Sequence, residues 1–169
     1  MSTDASSPLS DTRLPAVGLV AELNEEDRAL LSSYGLFSYL EAGQLVIRQQ
    51  SAQNCLYFVI SGTLHAKRAD EGREVLLSAI GQGEWFGEIN IFDPSAASAS
   101  VSAVSASQIW SIGREELLSY FAVYPEAAVR LLIGIATLLS RRVRQVSQKL
   151  VSHAEYESLL SGGADKKHS

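Results

Sequence analysis

A chain of 169 residues, 46% hydrophobic and carrying a net charge of −5, has the length for one domain with a sizeable core plus appendages and is too apolar to be disordered. Its acidity, with a pI near 5.2, argues against nucleic acid as the main partner, because such binders present a basic field. The single cysteine, Cys55, excludes an internal disulfide and a thiolate metal cluster, and its place at the start of an apolar run reads as a buried, inert thiol.

Residues 1–13 are small and polar and read as a flexible tail. They show no basic n-region of a signal peptide, and no apolar stretch reaches membrane-spanning length without a charge, so a soluble cytoplasmic protein without membrane attachment is expected. Asn24 offers an N-cap, with Glu25, Glu26 and Asp27 in the first turn where the helix dipole favours negative charge. Leu23, Leu30, Leu31 and Tyr34 give that short helix an apolar face, and Gly35 stops it.

From Leu36 to Ile112 the pattern changes to short strands with closely spaced turn residues, as in a sandwich or barrel. Strands are expected over 36–40, 45–48, 55–60, 63–68, 74–80, 98–105 and 108–112, with 55–60 (C-L-Y-F-V-I) the strongest. Ser61-Gly62, Asp70-Glu71-Gly72 and Gly81-Gln82-Gly83 supply turns between them.

Within this region, residues 83–101 read G-E-W-F-G-E-I-N-I-F-D-P-S-A-A-S-A-S-V. Gly87-Glu88 opens one helical turn whose first amides are unpaired, and glycine lets a ligand approach the backbone. The layout resembles the phosphate-binding cassette of the cyclic nucleotide-binding domain family, found in catabolite activator proteins, kinase regulatory subunits and cyclic-nucleotide-gated channels. The family pattern is F-G-E, a few apolar residues, a turn, then R-(S/A)-A-x-V. Phe86-Gly87-Glu88 matches it, as does Ser98-Ala99-Ser100-Val101, and L-Y-F-V-I-S-G-T-L matches the family's barrel strand. A glycine the family often places before that strand is absent, with Gln49-Gln50-Ser51 in its stead. The resemblance implies an α+β fold: an antiparallel β-barrel (jelly roll) with a short N-terminal helix and a long C-terminal one. It also implies a ligand cassette at Phe86, Gly87, Glu88, Ile89, Ala97, Ser98 and Ala99, with Glu88 on the ribose hydroxyl.

The slot where the family places its arginine holds Ala97, and no Lys or Arg lies between Asp93 and Gln108. A guanidinium suits a cyclic phosphate, and a hydrogen bond to a charged group contributes roughly 1.5–3 kcal/mol. Its loss is expected to weaken nucleotide binding by on the order of ten- to a hundredfold.

Gly113-Arg114-Glu115-Glu116 starts a helix reaching Phe121, and Pro125 with Glu126 opens a longer one running to about Leu150. On it Val129, Leu132, Ala136, Leu139, Val143, Val146 and Leu150 step by three and four, a heptad seam expected to join two copies as a homodimer. A second set, Leu131, Ile135 and Leu138, is expected to face the barrel. Arg141, Arg142, Arg144 and Lys149 crowd the second half, where cations complement the helix dipole. The resemblance puts Arg142 near the level from which family members reach the base, so Arg142, or Arg73 from the barrel, is a candidate replacement contact. A short helix over 153–160 and a polar end follow; the expected organisation is 1–13 tail, 14–151 domain and 152–169 appendage, without room for a helix-turn-helix domain.

Catalytic patterns are lacking. His65, His153 and His168 have no ligand spacing, no G-x-S-x-G, P-loop or dinucleotide fingerprint occurs, and Glu84 and Glu88 belong to a turn and a helix start. Three readings follow: a non-enzymatic regulatory module that needs no cofactor, has weakened cyclic nucleotide binding and acts on an unknown protein partner; a cyclic AMP or cyclic GMP sensor with a non-standard phosphate contact; and a nucleic-acid-associated accessory protein using the basic helix end, DNA being the least favoured partner.

Overall fold

The close alternation of apolar and polar residues after Gly35 folds as eight strands in a computed structural model that describes residues 13–162, with side chains described through residue 152. The strands are β1 (Leu36–Leu40), β2 (Leu45–Ile47), β3 (Cys55–Ser61), β4 (Leu64–Asp70), β5 (Arg73–Ile80), β6 (Trp85–Phe86), β7 (Ser100–Ala103) and β8 (Ser107–Gly113). They form two four-stranded sheets, ordered β1-β8-β3-β6 and β2-β7-β4-β5, with antiparallel pairing throughout. This is the expected jelly roll. Strand β6 was not foreseen; it is two residues long and pairs Trp85 with Phe58 and Phe86 with Tyr57.

The near-continuous apolar run of β3 has a physical reason: both of its faces are covered. Inside the barrel, Val59 joins Leu40, Ile47, Leu64, Ile80, Phe86 and Ile109. On the outer face Phe58 stacks toward Trp85 (centroids 5.0 Å apart), and Trp85 meets Trp110 edge-on at 6.2 Å. The Trp110 indole donates to the Ser32 carbonyl at 3.2 Å, so this aromatic layer lies against helix α1 (Glu25–Ser33). Asn24 caps that helix as expected, its Oδ1 accepting from the Asp27 amide at 2.7 Å. A 3-10 turn, Gly18–Glu22, precedes it.

Helix α2 (Glu88–Phe92) lies inside the cassette, and α3 (Arg114–Val123) follows the barrel. Helix α4 then runs unbroken over Pro125–Gly162. This corrects the expected stop near Leu150 and the separate helix over 153–160: no glycine or proline lies between Pro125 and Gly162 save Gly134, so nothing interrupts the backbone ladder. The expected tail falls outside the described residues except for Arg13, as does the end, 163–169.

The chain divides into two units, residues 1–131 and 132–169. The first holds the barrel. The second is the remainder of α4, on which Leu132, Val143, Val146 and Leu150 are exposed, Leu139 is half-buried and Ile135 is buried. No described helix is long and apolar enough to cross a membrane.

Candidate functional site

The cassette is built from β6, α2 and the loop that leads into β7. Strand β6 delivers Gly87 as the N-cap of α2 with φ of 83°, in the left-handed region. A Cβ at Gly87 would lie 2.5 Å from the Cys55 carbonyl oxygen and 3.2 Å from Tyr57 Cδ2, so conformation and space both require glycine. Tyr57 stacks on Phe86 with centroids 4.7 Å apart and planes 6° from parallel, forming one wall inside the barrel. Burial pushes the Tyr57 phenol above its ordinary pKa, and burial likewise raises the Cys55 thiol, so neither is activated as a nucleophile.

Helix α2 turns Glu88, Asn90 and Ile91 inward and leaves Ile89 and Phe92 exposed. Glu88 is only 3% exposed, an unusual position for a carboxylate. The loop after α2 is tied down from inside: Asn90 Nδ2 donates to the Ser95 carbonyl at 2.5 Å and to Ser95 Oγ at 3.1 Å. At the other end of α2, Arg114 Nε donates to the Ile91 carbonyl at 3.0 Å, linking the cassette to the start of α3.

Ala97 is 5% exposed and its methyl sits in the barrel's apolar cluster with Ile47, Phe86 and Val101. Its backbone is clamped by the preceding loop: the Ala97 amide donates to the Ser51 carbonyl at 2.9 Å, and the Gln50 amide donates to the Ala97 carbonyl at 2.8 Å. Gln50 adopts φ of 65°, a left-handed conformation at the Gln49-Gln50-Ser51 segment that lacks the family's glycine. Ser98 is exposed and Ala99 half-buried.

The structure packs Phe86 and Ala97 into one interior cluster, follows Phe86 with the left-handed Gly87 and the buried Glu88, and leaves Ile89 and Ser98 exposed. Arg73 lies elsewhere, at the exposed tip of the β4–β5 hairpin opposite Asp70, with no hydrogen bond or ion pair to the cassette among the described residues. Arg142 is half-buried on the second unit. The described residues contain no cluster of three metal-ligating side chains. Glu84 does what its position suggested, closing a turn by accepting from the Gly81 amide at 2.6 Å.

Asn90, Arg114 and Gln50 went unnoticed as cassette supports. An asparagine between two isoleucines just before Asp-Pro-Ser was a usable signal for a buried side-chain lock. Arg114 gave none, because its reach to Ile91 depends on the tertiary placement of α3.

The chain is 34% identical over 109 residues to the CRP-like cAMP-activated global transcriptional regulator of Mycobacterium tuberculosis, covering 64% of this chain and 47% of that protein. It is 32% identical over 129 residues to the cyclic AMP receptor protein of Thermus thermophilus, covering 76% of this chain and 58% of that one. The chain therefore spans about half the length of the curated relatives it matches. Among solved structures, the catabolite activator protein of Thermus thermophilus superposes with a TM-score of 0.71 at 29% identity, over 80% of this chain and 62% of the other. A sequence model of the cyclic nucleotide-binding domain matches residues 37–124, and by that match, over slightly more than half its length, the chain belongs to the cyclic nucleotide-binding domain family.

Proposed function

We propose that this chain is a non-enzymatic regulatory module whose cyclic nucleotide binding is weakened at the phosphate position, and that it acts by contact with another protein while dimerised through α4. The observation that carries this reading is the position of Ala97. Its methyl is packed into the apolar interior where the family pattern calls for arginine. The loop and strand around it, residues 94–107, contain no basic residue. An anionic phosphate entering there would lose its hydration and meet the buried Glu88 without a guanidinium to offset either cost.

Calorimetry with cyclic AMP, cyclic GMP and a cyclic dinucleotide tests it on the full chain and on Ala97→Arg. The expected result is no saturable heat at micromolar nucleotide for the wild type and a gain of at least tenfold in affinity for the variant. Saturable micromolar binding by the wild type overturns the weakened-site reading.

A second reading, a sensor with a non-standard phosphate contact, draws on Arg142, which is half-buried while Arg141, Val143 and Arg144 around it are exposed. Under that reading the wild type binds and Arg142→Ala abolishes the heat.

A further inference from the structure

We infer, on the reading that the chain acts by contact with another protein, that one face of α4 docks an acidic segment of that partner. The face is formed by Arg141, Arg142, Gln145, Gln148 and Lys149. Were α4 to stop near Leu150, these cations would complement the dipole of the last turn and need no ligand. The helix runs instead to Gly162, which leaves Lys149 13 residues, or about 20 Å, short of its end. The dipole acts only within the last turn, so it does not account for cations at mid-helix. Charge is also sorted along the chain. Residues 127–152 hold five of the 14 basic residues and none of the 19 acidic ones, so nine basic stand against 19 acidic elsewhere. Arg141, Arg144 and Lys149 are exposed and form no ion pair among the described residues.

Register places the cations beside the seam and not on it. With Val129, Leu132, Ala136, Leu139, Val143, Val146 and Leu150 at heptad positions a and d, Arg142 and Lys149 fall at g and Gln145 at c. The row Ile135–Leu138–Arg142–Gln145–Lys149 thus advances by three and four along one side of the helix. It is buried at Ile135, half-buried at Leu138 and Arg142, and exposed at Gln145 and Lys149. Arg141 and Gln148, exposed at f, widen its polar part. In a parallel pair of helices, g residues meet the e residues of the other copy. Those are Ile133, Ser140 and Ser147, so a dimer supplies no carboxylate to this face. Arginine and lysine offer donors only, and glutamine donates as well, so carboxylates are the matching groups. Arg141 to Lys149 span about 12 Å along the axis, the rise of two turns of an acidic helix laid alongside. A nucleic acid fits less well. Its charge extends beyond the strip, past a Debye length of about 8–10 Å, against a chain that is otherwise acidic. Nor does any aromatic residue lie in 125–152 to stack on a base.

The test is fluorescence anisotropy of a labelled octaglutamate peptide titrated with the full chain, beside a labelled DNA duplex and vesicles of phosphatidylcholine and phosphatidylserine. Saturable peptide binding is expected at about 50 mM salt, weakened at least about fivefold at roughly 300 mM, because salt screens exposed charges. Arg141→Gln combined with Lys149→Gln is expected to weaken it at least about tenfold. Helical dichroism and sedimentation mass should not change in that variant, since glutamine sustains an exposed helix. Arg68→Gln removes a like charge from the exposed end of β4 and is expected to leave binding unchanged. No saturable binding by the wild type, unchanged binding in the double variant, or an equal loss in Arg68→Gln overturns the proposal. Duplex or vesicle binding as tight as the peptide's, and lost in the double variant, assigns the face to nucleic acid or membrane and overturns it too. Failure of the protein-contact reading shows separately, as saturable cyclic nucleotide heat from the wild type.

Discussion

Gln50 and Ala97 are joined through their backbones, in a contact that ties the 50–51 segment to the loop leading into β7. The two hydrogen bonds between the 50–51 segment and Ala97 hold the β7 approach in place, and they demand a left-handed conformation at Gln50. A non-glycine residue there gives up roughly 1–2 kcal/mol of backbone energy. Gln50→Gly relieves that strain but adds entropy to the unfolded chain, a smaller opposing effect. Its stability is expected to be retained or to rise by up to about 1 kcal/mol in urea unfolding. Gln50→Val, β-branched at a positive φ, is expected to lose about 1–3 kcal/mol. Gly87→Ala stands at the opposite extreme. The new Cβ meets the Cys55 carbonyl while φ stays at 83°, so a loss of at least about 2 kcal/mol is expected, with the Tyr57–Phe86 stack disturbed in near-ultraviolet dichroism. The difference between these positions is also one of legibility. Glycine at Gly87 announces a special backbone from sequence alone, and the φ of 83° is the conformation that glycine permits. Glutamine at Gln50 has no such signature, because the chain imposes the conformation from outside.

At the scale of the element, local rules predicted what local forces decide. The Asn24 cap, the β1 bounds and the start of α4 at Pro125 all follow from capping, alternation and proline chemistry, and all agree with the structure. Strand β6 escaped because two residues carry no period, and its pairing with β3 is a tertiary event. The corner joining α1, α3 and the first turns of α4 was equally unreadable, although its tyrosines were in plain view. Tyr120 packs edge-on against Tyr34 at 5.4 Å and near Tyr124 at 5.3 Å, and its hydroxyl donates to the Asp27 carbonyl at 3.3 Å. Asp27 in turn pairs with Arg130 at 3.0 Å. Burial first, then the Asp27 carboxylate, push the Tyr120 phenol from 10 up to about 12. Below pH 10 the phenol is protonated in both states and its stabilising contribution is complete. Between pH 10 and about pH 12 the unfolded chain loses this proton first, so stability falls as pH rises through that window. The expected drop is about 1–2 kcal/mol once solvent screening is allowed for. Tyr120→Phe should flatten this alkaline limb in denaturant unfolding; an unchanged limb would assign the drop to other groups.

For the molecule as a whole, the question is what covers the seam on α4. On α4 the seam Val129, Leu132, Ala136, Leu139, Val143, Val146 and Leu150 steps by three and four, and every member but half-buried Leu139 is exposed, Val143 and Leu150 at 65% and 66%. Scattered surface valines are ordinary, but a stripe with a strict heptad step is the pattern that a second helix fills. A two-fold parallel contact uses every seam residue twice, so one substitution removes two buried side chains. Burying a valine contributes roughly 1.5–3 kcal/mol, and replacing it by a charge adds a desolvation cost. Val143→Asp and Val146→Asp are therefore each expected to weaken self-association at least a hundredfold, seen as conversion from dimer to monomer in sedimentation equilibrium. Helical dichroism and the near-ultraviolet signal of the tryptophans should change little, because the barrel folds around its own interior core and aromatic layer. Arg141→Ala, off the seam, serves as the control and should leave the mass unchanged. A wild-type chain that sediments as a monomer at tens of micromolar, or a Val143→Asp chain that stays dimeric, removes α4 as the contact between copies.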